Sequence, residues 1–274
     1  MKFADLHLHT TYSDSTLEPE ALIRQAQAVG LDCISVVDHD TVDGIYPTQE
    51  AAKSKGIEVI AGIELSCEYN NSEVHILGYL IDYTDGNFLH KLSSIRKIRQ
   101  ERIYQMVDKL KDLNVSIEPE EVFKLSKTNS IGRLHLAQAL VKKGYVTSII
   151  EAFQRYIGDG APAYVCGFKL TPQEAINLIL SVKGIPVLAH PYTLGNDGLI
   201  LKFIEYGLRG IEVYYPEHTK SKTLFYENFA KEYGLLSTGG SDYHGLVKPE
   251  ISIGCVKIPY ELVEKLKEEK QRFI

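Results

Sequence analysis

An α/β barrel interrupted by a helical segment is the fold this sequence predicts. Strand-like and helix-like stretches alternate over the first 80 residues, the alternation resumes after residue 181, and the stretch between is helical throughout. With 274 residues, 44% of them hydrophobic, the chain can bury the core of one barrel or of two smaller domains.

Phe3 to His9 reads as a short strand, Pro19 to Val29 as an amphipathic helix stopped by Gly30, and Cys33 to Val37 as a β-branched run. Gln49 to Lys55 is a predicted helix closed by Gly56, with strands following at Val59 to Ile63 and Val74 to Ile81. A basic helix comes next, carrying Arg96, Lys97, Arg99 and Arg102, in which Ile95, Ile98, Ile103, Met106, Val107 and Leu110 fall near 3.6-residue spacing. Strands at Ile185 to Ala189, Gly210 to Tyr214 and Leu235 to Thr238, and helices at Leu199 to Tyr206 and Leu224 to Tyr233, restore the βα rhythm of a largely parallel sheet. Residues 1–85 and 160–274 are therefore expected to form the barrel, with residues 86–159 as an inserted cap. A simple domain boundary near residue 160 is disfavoured because the later half repeats the chemistry of the first.

The net charge of -6 gives no whole-protein positive field to attract duplex nucleic acid, so an anionic substrate needs a local cationic site. Four scattered cysteines (Cys33, Cys67, Cys166, Cys255) form no C-x-x-C pair and read as reduced thiols. Charge and histidine interrupt the first residues before an apolar leader could form, and no run approaches eighteen apolar residues. A cytoplasmic, monomeric protein without a membrane partner is expected.

His7 and His9, at i and i+2 of a strand, share one face and can chelate one metal, with Asp14 close by in the following turn. The second strand runs out into Asp38-His39-Asp40, the third into Glu64, and the fourth contains His75. Later strands end in His190, in Glu212, and in Ser241-Asp242-Tyr243-His244. Carboxyl ends of parallel barrel strands converge on one face, so residues distant in sequence become neighbours. Any one histidine is more often a satisfied core or surface residue. Six of nine at or near strand ends, each beside a carboxylate or a second histidine, is hard to produce by packing alone. Nitrogen and carboxylate donors without cysteine suit zinc, manganese or iron, and several carboxylates suit a multinuclear site.

Together the D-L-H-x-H opening, the D-H-D, Glu64, His75, the A-H-P and the S-D-Y-H resemble the polymerase and histidinol phosphatase (PHP) family over nearly the whole chain. The resemblance implies a distorted seven-stranded (β/α) barrel with a centre of two or three divalent ions (Mn, Zn, Fe or Mg) on its carboxyl face. It implies one metal held by His7, His9, Glu64 and Asp242, a second by Glu64, His75 and His190, and a third by Asp14, His39 and His244.

The Ile131-Gly132-Arg133-Leu134-His135 segment resembles the cap motif of a subgroup that contains 3′,5′-bisphosphate nucleotide phosphatases and 5′-to-3′ exonucleases of short RNA. Leu134 stands where that subgroup has proline, and Cys166-Gly167-Phe168 replaces its basic or proline-containing stretch. Physically, Arg133 and His135 at a helix start combine a phosphate fork with free N–H groups and the positive dipole end. Arg99 and Arg102 are further substrate contacts unless they form an ordinary solvated helix face.

The expected reaction is phosphoester hydrolysis by a hydroxide bridging the metals. Asp242 would bind metal and orient or deprotonate the water, Glu64 would bridge, and His218 would protonate the leaving group or contact phosphate. The expected substrate is a nucleotide or short 5′-phosphorylated RNA. Another small phosphate ester such as histidinol phosphate, and an amide or lactone, are the alternatives.

Overall fold

The computed structural model describes residues 1–70, 72–126, 130–166 and 170–272. Strands β1 (Phe3–Leu8), β2 (Cys33–Val36), β3 (Glu58–Tyr69), β4 (Ser72–Tyr79), β5 (Ile185–Leu188), β6 (Gly210–Tyr214), β7 (Leu236–Gly239) and β8 (Ile258–Pro259) form one sheet in the order β7-β6-β5-β4-β3-β2-β1-β8. The amino end of β1 pairs with β8, while its carboxyl end meets the turn after β7 through a Leu8 to Tyr243 bridge, so the barrel is nearly closed. A Cβ on Gly240 would stand 2.3 Å from the His7 nitrogen, and only glycine allows that approach.

Seven strands were expected; the eighth, β8, is two residues long and leaves no periodic pattern in the sequence. A larger correction concerns β4, which runs antiparallel to both β3 and β5. Strands β3 and β4 form a long hairpin, with Glu64 opposite Leu77 and Ser66 opposite His75. His75 thus reaches the carboxyl face from near the start of its strand, because reversal puts the amino end of β4 there.

Helices α1 (Pro19–Ala28), α2 (Ile45–Ala52), α3 (Gly86–Asp112), α4 (Pro119–Phe123), α5 (Arg133–Lys142), α6 (Ile149–Ala152), α7 (Pro172–Ser181), α8 (Leu199–Glu205), α9 (Lys220–Glu232) and α10 (Glu261–Gln271) accompany the strands, with one π turn at Phe153–Ile157 and 3-10 turns at Pro191–Leu194 and Gly245–Val247. Helix α2 begins four residues before the predicted Gln49 because Pro47 falls in its first turn, where proline is tolerated. None of the described helices is long and apolar enough to cross a membrane.

Ala4, Leu6, Leu77, Tyr79 and Val187 fill a core shared with α10, and Leu8, Leu22, Ile23 and Ile34 another under α1. A third joins Ile63, Ile76 and Leu188 to α7 and α8. Between residues 103 and 163 a separate cluster has its own centre in Met106, Leu110, Leu136, Leu140 and Ile157. The 27-residue α3 belongs to two of these clusters, with Phe88, Leu92 and Ile95 on the barrel side and Ile103, Met106 and Leu110 on the other. At some 1.5 Å per residue it is long enough to cross between them. Arg99 and Arg102 sit at the crossing, 6% and 5% exposed, so they are not the solvated helix face that the sequence allowed.

Candidate metal centre and its cationic wall

Short strands end at one mouth, and the turns that follow carry the chemistry. Asp40, His190 and Asp242 adopt positive φ (53°, 28° and 52°), an uncommon conformation for non-glycine residues that here aims side chains inward immediately after strands.

The Nε2 atoms of His7 and His9 lie 3.3 and 3.2 Å from Glu64 Oε2, and 3.4 and 3.3 Å from Asp242 Oδ1. On the other Glu64 oxygen, His75 Nδ1 approaches to 2.8 Å and His190 Nε2 to 3.2 Å. Asp14 Oδ1 is 3.3 Å from His244 Nε2, Asp14 Oδ2 is 3.7 Å from His39 Nε2, and His39 Nδ1 is 3.4 Å from Glu64 Oε2. All nine residues expected to ligate are therefore brought together. His9 reaches both the Asp242 and Asp14 groups, and His39 both the Asp14 and Glu64 groups, a more entangled division than the sequence motifs imply.

Donors arranged tetrahedrally about an ion at about 2.0–2.1 Å stand about 3.3 Å apart, close to most of these separations. Among the described residues, both ring nitrogens of His9, Nδ1 of His39 and Oδ1 of Asp14 are buried with no well-aligned hydrogen bond, a costly condition that a cation would relieve. Several imidazoles also have their remaining nitrogen held. His7 Nδ1 is 2.9 Å from Glu212 Oε1, His75 Nε2 is 3.0 Å from Glu73 Oε1, His190 Nδ1 is 3.3 Å from the Thr193 hydroxyl, and His244 Nδ1 is 2.8 Å from the Asp242 carbonyl. Such outer contacts fix tautomer and orientation at metal sites. The residues fit divalent ions.

Glu73 and Thr193 are supports that the sequence reading missed, and Glu212 was seen there only as a strand end. Glu212 also accepts the His190 backbone N–H at 2.8 Å, so one carboxylate steadies two proposed ligands. Glu212→Gln should cost about 10- to 100-fold in metal affinity or activity, read by metal titration and by kcat; an unchanged affinity and rate would remove Glu212 from the site.

Electrostatics follow from crowding. Burial would raise Glu64, but His39, His75 and His7 hold it well below the carboxylate range. Burial would lower His9 and His75, yet neighbouring carboxylates push them up to about 9 and about 10, and His7 is likewise raised. These imidazoles are protonated near neutrality in the metal-free protein and must lose their protons to ligate. Metal uptake at pH 7.5 should therefore release protons, and affinity should rise with pH toward about 10. Calorimetry in buffers of different ionisation enthalpy tests this, and a buffer-independent heat would contradict it.

Two proposed catalytic roles change. Asp242 Oδ2 accepts from Tyr215 Oη at 2.8 Å and from Lys248 Nζ at 2.7 Å. Burial would raise its pKa, but Lys248 and the histidines hold it well below the usual range, so Asp242 suits a ligand and not a base. His218 is half-buried among Tyr192, Tyr215 and Tyr226, with Nδ1 2.8 Å from the Val213 carbonyl. Burial lowers its pKa, and the carbonyl takes the Nδ1 proton, leaving Nε2 an acceptor. A proton donor is not built there.

One cavity of about 490 Å³ joins the cluster to Arg99, Arg102, Arg133 and Lys248. Arg133 Nη2 is 2.7 Å from Glu73 Oε2 and its Nη1 is 2.6 Å from Asp159 Oδ1; Arg102 Nε donates to the Val165 carbonyl at 2.8 Å. Arg99 pairs with Asp40, which ties α3 to the turn after β2. His135 does not line the cavity. Its ring is 1% exposed, and Nδ1 accepts the Gly132 N–H at 3.2 Å, so it caps its own helix instead of presenting a donor to phosphate. Leu134 occupies the second position of α5, where an N–H has no intrahelical partner and proline or leucine serves equally. Cys166 is exposed, while Gly167 and Phe168 lie outside the described residues.

A nearly closed α/β barrel with a histidine-carboxylate cluster at its mouth, facing a cationic wall, defines a metal-dependent phosphoesterase. The PHP domain matches residues 5–161, and the chain belongs to that family. It is 34% identical over 245 residues to a 5′-3′ exoribonuclease of Haemophilus influenzae, covering 88% of this chain and 89% of that protein. It is 32% identical over 246 residues to a 3′,5′-nucleoside bisphosphate phosphatase of Chromobacterium violaceum, covering 88% and 86%. A crystal structure of a proposed metal-dependent phosphoesterase from Bifidobacterium adolescentis superposes with a TM-score of 0.89 at 28% identity, over 97% of this chain and 96% of the other.

Proposed function

We propose that this phosphoesterase acts on nucleotides that carry a second phosphate, either 3′,5′-bisphosphate nucleotides or the ends of short 5′-phosphorylated RNAs. The observation that carries the reading is the continuity of one cavity between the histidine-carboxylate cluster and Arg133 and Arg102. A substrate with two phosphates can place one at each end. The relatives named as a bisphosphate phosphatase and an exoribonuclease support the same class.

In this reading His7, His9, Asp14, His39, Glu64, His75, His190, Asp242 and His244 hold two or three divalent ions, and residues 86–159 act as the substrate-binding cap. When bound, the ions lower the pKa of water and neutralise phosphoryl charge. Arg133 and Arg102 bind the phosphate that does not react, exchanging their hold on Glu73 for the substrate. Leu134 and Phe153, which also line the cavity, exclude water beside the sugar or base. The scattered cysteines, which form no C-x-x-C pair, support a reducing, cytoplasmic setting.

The test is phosphate release by Mn²⁺-loaded protein from a 3′,5′-bisphosphate nucleotide, 5′-phosphorylated RNAs of two to five residues, histidinol phosphate and a phenyl phosphate ester. The bisphosphate or the RNAs should have the highest kcat/KM, and chelator should abolish turnover. A preference for histidinol phosphate would overturn the substrate assignment.

A further inference from the structure

Four fixed cations line the cavity, and three of them have an evident occupation. Arg99 is spent on Asp40, Ser66 and the Ile131 carbonyl, while Arg102 and Arg133 share Glu73 on the side where His75 and His190 stand. Lys248 is the fourth and sits differently. It lies on the loop after β7, four residues beyond His244, and a side recess formed by Glu73, His75, Arg133, Phe153, Asp159 and His190 does not include it.

The contacts of Asp242 locate Lys248 further. Oδ1 of Asp242 faces His7, His9 and His244 at 3.3–3.4 Å, whereas Oδ2 faces Lys248 Nζ at 2.7 Å. The ammonium therefore stands one carboxylate away from the proposed metal positions. Asp242 occupies one of its three N–H donors, and no other described residue accepts from it.

We propose that Lys248 binds the reacting phosphoryl group, supplying a fixed positive charge on the Asp14 and Asp242 side of the cluster while Arg133 holds the remote phosphate. This rests on the phosphoesterase activity and not on the identity of the substrate, because every phosphate ester presents that group. Lys248 consequently serves small and large substrates alike. Its charge neutralises phosphoryl oxygens turned away from the ions, as point-charge lysines do at phosphate sites.

The experiment compares Lys248→Met and Lys248→Arg with the unaltered protein, each loaded with Mn²⁺ and assayed for metal content. Turnover of a phenyl phosphate ester and of a 3′,5′-bisphosphate nucleotide is measured, along with the affinity for inorganic phosphate by calorimetry. Lys248→Met should lower kcat/KM by a similar factor on both esters, about 30- to 300-fold, and weaken phosphate binding about tenfold or more, at unchanged metal content. Lys248→Arg should recover part of both. Unchanged phosphate affinity would overturn the proposal, as would a loss that tracks lost metal, which assigns Lys248 only to holding Asp242. A loss confined to the bisphosphate would overturn it too, by moving Lys248 to the remote phosphate. If the protein cleaves the phenyl ester and ignores nucleotides, the substrate reading fails while the Lys248 test still runs on the small ester.

Discussion

Replacing Glu64 by glutamine should abolish most activity, by about a thousand-fold or more in kcat, with loss of bound metal. The carboxylate is 1% exposed, one oxygen within 3.2–3.4 Å of His7, His9 and His39 and the other within 2.8–3.2 Å of His75 and His190. Both oxygens thus face histidine nitrogens from four strand ends and turns, which supports the proposal that Glu64 would bridge two ions. Glutamine keeps the shape but offers one neutral oxygen, and its amide N–H₂ would point at imidazoles or ions. Metal ions contribute several kcal/mol of charge stabilisation to such a reaction, which corresponds to about three powers of ten or more in rate. His135 supplies the control. Because its ring caps α5 and does not reach the cavity, His135→Ala should cost about 1 kcal/mol of stability and little kcat. Metal analysis and kcat for both variants decide the matter; equal losses of activity would argue against a bridge at Glu64.

Arg133→Ala should separate two kinds of substrate. On a 3′,5′-bisphosphate nucleotide the loss in kcat/KM should reach tens- to several-hundred-fold, equivalent to roughly 2–4 kcal/mol of charge-assisted binding. A phenyl phosphate ester, too small to reach the arginine, should lose little. The guanidinium already satisfies Glu73 and Asp159 and lies 5.4 Å from the centres of the Phe153 and Tyr164 rings, so it is held in place before substrate arrives. That preorganisation removes part of the ordering cost, while exchange of Glu73 for phosphate limits the net gain. Similar losses on both substrates would mean that Arg133 acts at the reacting phosphate or only secures the cap, and the two-phosphate reading would lose its physical basis.

Much of this was legible in the sequence because ligand chemistry is local. Two histidines at i and i+2 of β1 must share a face, and an Asp or Glu at the carboxyl end of a parallel strand faces the barrel mouth once the barrel closes. The helical character of the elements between β4 and β5 follows equally from hydrophobic period. Arg99 and Arg102 carried a signal that went unused: they fall four residues after Ile95 and four before Met106, on the buried stripe of α3 and not on its solvated face.

Tertiary structure decided the rest. Reversal of β4 depends on a hairpin with β3, which strand propensity does not encode, yet it determines how His75 reaches Glu64. Glu212 meets His7 and His190 from another strand, Glu73 meets Arg102 and Arg133 from distant helices, and the short-range contacts of Thr193 and His135, like the retreat of His218 behind tyrosines, depend on which way a ring turns. Lys248 shows the reason most clearly. Its charge is plain in the sequence, but its place beside Asp242 arises only when the loop after β7 folds back over the barrel mouth. Residue type fixes which atoms can bind a metal or a phosphate; burial and long-range packing fix which of them face the cavity with a donor to spare.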